Sequence, residues 1–146
     1  MFCEEEHAME LPHFTASVRT PVGRPEAIEA IYATGHWLLA HEQTEAAARV
    51  FRVLVHAVPR DERGWLGLGE CHERMGQLRI AAELYGTGGA VAEPPVRCRL
   101  ARARALARAG YPDASEEALD AAEEAAQELA DEALLELVAS ERRRPS

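Results

Sequence analysis

The chain has 146 residues and a mass of 16.0 kDa, room for one folded domain but not for a separate catalytic domain beside it. Its formal charge of −9 argues against general adhesion to nucleic acid or to anionic lipid. No apolar run approaches the ~20 residues that a membrane-spanning helix needs, so membrane insertion is not expected.

Alanine, leucine, glutamate and arginine dominate and aromatics make up 5% of the chain. Unbranched side chains lose little rotamer freedom in a helix, so this balance favours an all-α fold. Residues 1–27 combine Glu4-Glu5-Glu6 with Pro12, Pro21, Gly23 and Pro25, which reads as a short helix or tail followed by a non-helical linker. This N-terminal arm lacks the basic-then-apolar pattern of a secretory signal, and Cys3, Cys71 and Cys98 are an odd number without metal-type spacing. Both features fit a protein of the reducing cytoplasm.

From residue 28 the sequence matches itself at a shift of 34 residues, the period of a tetratricopeptide helix pair. Gly35 falls on Gly69 and Ala103, Ala47 on Ala81 and Ser115, Phe51 on Tyr85 and Leu119, and Gly76 on Gly110. Small residues at the first two positions let paired helices approach, and the Gly76 and Gly110 positions suit a tight turn with positive φ. Pro59 closes the first unit and Pro94-Pro95 the second. The expected helix pairs are 28–61, 62–95 and 96–129, stable only when stacked. Asp113 and Glu116 are placed for a capping box at the second helix of the third pair. The apolar residues Ala133, Leu134, Leu137 and Val138 predict a capping helix over 131–141, followed by a tail at 142–146 that includes Arg142-Arg143-Arg144.

The stretch Trp65-Leu66-Gly67-Leu68-Gly69-Glu70-Cys71-His72-Glu73-Arg74-Met75-Gly76-Gln77-Leu78, followed by Ala81, Tyr85 and Gly89-Ala90, resembles the central repeat of the class II chaperones of type III secretion systems. The next repeat of that family opens with a proline and an arginine, matched here by Pro95 and Arg97. The resemblance extends over roughly residues 28–130 and departs from the family at Cys98 and Leu100, where aromatics are frequent, and at Leu78. It implies a tetratricopeptide superhelix whose groove holds an extended segment of a secreted, hydrophobic translocator. It also implies a homodimer formed through the arm or the first repeat, for which Phe2, Met9, Leu11 and Phe14 offer apolar contacts. The alternative function is a tetratricopeptide adaptor for other proteins with no role in export.

In such a stack the first helix of each pair lines the concave side. Its solvent-facing positions are Glu29, Tyr32, His36 and Ala40 in the first repeat, Arg63, Leu66, Glu70 and Arg74 in the second, and Arg97, Leu100, Arg104 and Arg108 in the third. Tyr32 and Leu66 are the expected apolar anchors of a bound peptide. Arg97, Arg104 and Arg108 share one helical face and have two readings: a clamp for client carboxylates, or a face solvated or paired with Glu70 and Glu73. Trp65 and Cys71 are expected in the core. The six histidines show no helical metal spacing, and no acid, base and nucleophile cluster in the sequence, so neither a cofactor, a metal nor an enzymatic activity is expected.

Overall fold

A computed structural model describes residues 24–144. Among the described residues the chain forms α1 (Pro25–Ala40), α2 (Thr44–Ala57), α3 (Glu62–Arg74), α4 (Leu78–Val91), α5 (Val96–Arg108), α6 (Pro112–Leu129) and α7 (Glu132–Arg142). These are three antiparallel pairs and a last single helix, the all-α tetratricopeptide architecture. Phe2, Met9, Leu11, Phe14 and the acidic run at Glu4 lie outside the described residues.

Helix starts follow local chemistry. Pro25, expected in the linker, instead opens α1, at the turn where a missing N–H costs nothing. Asp61 caps α3 by accepting from the Arg63 amide at 3.0 Å, and Asp131 caps α7 by accepting from the Leu134 amide at 3.1 Å. The capping box expected at Asp113 does not form. Tyr111 holds the cap position of α6 and Pro112 opens its first turn, which leaves Asp113 two places inside the cap position. Glu116 instead accepts from Arg142 of α7, which also reaches Asp120 and Glu123. Arg142 therefore ties the last helix to α6 rather than belonging to a tail.

The turn that ends each first helix uses a left-handed residue at one register: Glu42 (φ 59°), Gly76 (φ 77°) and Gly110 (φ 90°). Glycine takes this conformation without a Cβ clash; Glu42 takes it at a cost.

Within each pair a small residue faces a large one. A Cβ on Gly35 would stand 2.7 Å from Phe51, and one on Gly69 would stand 2.1 Å from Tyr85. In the third pair the partners are Ala103 and Leu119, which share one core cluster; the smaller Leu119 leaves room for the methyl. Ser115 sits where the other pairs have alanine and spends its hydroxyl on the Ala103 carbonyl at 2.7 Å. The Trp65 indole packs against the first core and donates to the Pro59 carbonyl at 2.8 Å. Its polar edge is thus satisfied while the ring serves the core, as expected.

Each helix packs chiefly on its neighbours in the chain, and the first helices α1, α3, α5 and α7 also touch one another in succession. Helices that crowd together mark the inside of a curve, so this row is the concave wall and α2, α4 and α6 form the outer one. At the C-terminal end α7 lays Leu134 and Val138 into the last core cluster. Its other side shows Glu132, Glu136, Ser140 and Arg143 to solvent.

Candidate peptide-binding face

The inner wall is crossed by a ladder of polar contacts between residues about one repeat apart. Arg63 donates to Glu29 at 2.8 Å, and to the capping Asp61 at the same distance. Arg97 of α5 meets Glu62 of α3 at 3.5 Å, and Arg108 meets Glu73 at 3.1 Å. At the last step Arg104 donates to Glu141 of α7 at 2.7 Å. Arg74 pairs with Glu70 on its own helix at 2.7 Å and donates to the Leu39 carbonyl across the stack at 2.9 Å.

Of the twelve positions expected on this wall, the structure brings the charged ones together but corrects two apolar ones. Tyr32, expected to face solvent as an anchor, is 3% exposed and belongs to the first core. The guanidinium of Arg63 covers its ring, 4.1 Å from the centroid, a cation–π contact that closes the core from above. Leu100 is 1% exposed and belongs to the third core. The fifth position of these first helices thus faces the core behind the wall rather than the groove. Leu66, at the same position of α3, is half-buried against the Ala81, Tyr85 and Ala105 cluster and keeps an accessible edge. His36 and Ala40 are exposed, and the His36 ring meets the edge of Phe51 at 5.3 Å.

The arginines follow the paired reading. Arg97, Arg104 and Arg108 each hold an acidic partner, although Glu70, considered as one such partner, pairs with Arg74 instead. Sequence reasoning missed Glu62, Glu141 and Asp61. The signal was present for Glu29 and Arg63, which stand one period apart, and for Glu62 and Glu73 at one period plus one residue from their arginines.

The ladder shifts its own titrations. Hydrogen bonds from Arg63 hold Glu29 and Asp61 below the usual carboxylate range. Glu62 moves the other way: burial raises it, Arg97 offsets that only in part, and its Oε2 has no partner. Burial also raises Tyr32, whose hydroxyl lies by Asp61 without a well-formed hydrogen bond.

The thiols behind this face are not activated nucleophiles. Cys71 and Cys98 are buried thiols, pushed by burial up to about 11 and about 12, far from the thiolate a nucleophile needs. His72, next to Cys71 in sequence, spends Nδ1 on Gln77 at 2.6 Å. No cluster of three metal-ligating side chains occurs among the described residues, and no described helix is long and apolar enough to cross a membrane. A cleft of about 500 Å³ beside Arg49, Val53 and His56 lies on α2, on the outer side.

A curved stack of helix pairs with a polar, self-paired inner wall defines a tetratricopeptide-type binding protein. Among the solved structures it resembles are type III secretion translocator chaperones. The Yersinia enterocolitica chaperone SycD superposes with a TM-score of 0.69 at 26% identity, covering 80% of this chain and 88% of that one. SycD in complex with a peptide of the translocator YopD gives 0.62 at 25%, covering 82% and 98%. In fold alone, PcrH from Pseudomonas aeruginosa is also similar, with a TM-score of 0.68 at 24% identity over 81% and 90%. No protein-family model matches the chain, and no curated protein matches it.

Proposed function

We propose that the chain is a translocator chaperone, holding an extended segment of a hydrophobic type III secretion substrate against the inner wall of its helical stack. The observation that carries this reading is the likeness to SycD in complex with a YopD peptide. The sequence signature from Trp65 to Gly76 leads to the same class independently of the fold. Held in this way, the client is kept from aggregating or assembling before export, in the cytoplasm where it is made. A homodimer belongs to the same reading, since SycD is also known in an alternative dimer.

The wall suggests how a segment is held. His36, Ala40 and the free edge of Leu66 supply shallow apolar contacts. The rims of Arg63, Arg74, Arg97, Arg104 and Arg108 offer donors beyond those used in the ladder. Acidic client groups must compete with the protein's own carboxylates, so affinity rests more on apolar anchors than on charge.

The test is co-expression with translocators encoded beside the gene, followed by co-purification and mapping of the bound segment. His36→Glu, Leu66→Ala and Arg104→Glu should release the client while helicity persists. Retention of the client by all three variants would move binding off this wall. Co-purification of proteins that are never secreted, with no translocator among them, would favour the adaptor function instead.

A further inference from the structure

The two ends of the stack are unlike each other. Each later repeat packs the same three positions of its first helix against the second helix of the repeat before it. In α3 these are Gly64, Gly67 and Cys71. A Cβ on Gly64 would stand 3.2 Å from Val55, one on Gly67 would stand 2.4 Å from Phe51, and Cys71 is fully buried in the cluster with both. In α5, one period on, they are Cys98, Ala101 and Ala105. Cys98 Sγ lies 2.8 Å from where a Cβ on Gly88 would be, and Ala101 and Ala105 pack on Ala81, Ala82 and Tyr85.

One period earlier the same positions are Ala30, Ala33 and Trp37 of α1, and all three are exposed. Trp37 is 55% exposed, with the His41 ring stacked on it at 3.9 Å. The opposite end shows how a stack is finished, with α7 turning charged residues outward. A repeat stack needs such a polar outer face at both ends, and two alanines beside an exposed tryptophan do not make one.

We propose that residues 1–23 of this chain cover that face, taking the place that a preceding second helix takes elsewhere in the stack. The segment joins α1 directly at Arg24, so its effective concentration at the face is in the millimolar range or above. It supplies Phe2, Met9, Leu11 and Phe14. A large side chain is accommodated beside a methyl at this register: Ala33 stands where Ala101 of α5 does, and Ala101 packs on the cluster that holds Tyr85. Trp37 supplies the largest apolar area to be covered.

Hydrogen–deuterium exchange on the full chain, run over a dilution series with the oligomeric state measured at each concentration, tests this. Peptides spanning Phe2 to Phe14 should exchange at least ~10-fold more slowly than unstructured chain, at every concentration. Trp37→Glu, at an exposed site, should abolish most of that protection without loss of helicity. A Leu11→Ser, Phe14→Ser double variant should abolish it too and speed exchange in α1. Exchange of the segment at the unstructured rate, or indifference to both variants, would overturn the proposal. Protection that vanishes on dilution together with a dimer would assign the face to a second copy.

Discussion

Arg63 donates to Glu29 of the preceding repeat while its guanidinium plane covers the ring of Tyr32, 4.1 Å away. A polar rung and a core lid are thus one side chain. Tyr32→Ala is therefore expected to destabilise the fold by about 3 kcal/mol, as large-to-small changes in packed cores do, with urea denaturation as the measurement. Tyr32→Phe deletes only a hydroxyl without a well-formed hydrogen bond and should be neutral or slightly stabilising. Any loss of client binding in Tyr32→Ala must accordingly be read against Tyr32→Phe.

Glycines of similar appearance in the sequence should respond oppositely. Gly69→Ala puts a methyl 2.1 Å from Tyr85 and should cost about 1–3 kcal/mol through overpacking. Gly86→Ala meets Arg102 no closer than 3.4 Å, in a helix interior where alanine is favoured by up to ~1 kcal/mol. At the left-handed register Glu42→Gly should stabilise by about 0.5–1 kcal/mol, whereas Gly76→Ala should cost about 1 kcal/mol. Thermal and denaturant unfolding of the four variants checks all of these together.

Glu62 gives a pH signature. Its folded value is raised by burial, so its contribution is most favourable below its unfolded value and is lost as pH rises through the folded one. Glu62→Gln should raise the unfolding midpoint at pH 7 by ~2–4 °C and change it little at pH 3.5. Asp61 and Glu29 have the opposite sign: both are lowered by Arg63, and the stability they add is lost as pH falls. Calorimetric scans of wild type and Glu62→Gln across this range separate the two contributions.

Much of this architecture was legible in the sequence because tetratricopeptide packing is written in side-chain volume. Gly35, Gly69 and Ala103 facing Phe51, Tyr85 and Leu119 is a rule of sizes, and sizes survive a shift by one period. The inner wall was legible only in part. Position five lies at the edge of the buried stripe, so Tyr32 and Leu100 went to the core while Leu66 kept an edge. Ladder partners were harder still, because an exposed arginine reaches any of several acids and only the assembled stack selects one. The misplaced cap at Asp113 has a similar origin: with Pro112 already in the first turn, the cap falls to Tyr111.

The thiols offer a further check on burial. With Cys71 and Cys98 enclosed and pushed up to about 11 and about 12, a Cys3→Ser variant should be silent to a thiol-disulfide reagent at pH 8. It should release two equivalents once denatured, counting the two cysteines that remain. Fast reaction of either thiol in the folded protein would mean that the stack opens locally around it.

The ladder also has a grammar. From α1 to α3 and from α3 to α5 the acid stands on the earlier helix and the arginine on the later one, as in Glu29 with Arg63 and Glu73 with Arg108. At the last step the order reverses, with Arg104 before Glu141. The apolar code of small against large is shared by all three repeats and would tolerate their shuffling. The polar code would not, since exchanging the second and third repeats would set Arg97 beside Glu29 but would then bring Arg63 against Arg97 and Glu70 against Glu141. Repeats that are interchangeable in volume are thus made unique in charge, and it is the charges that write their order.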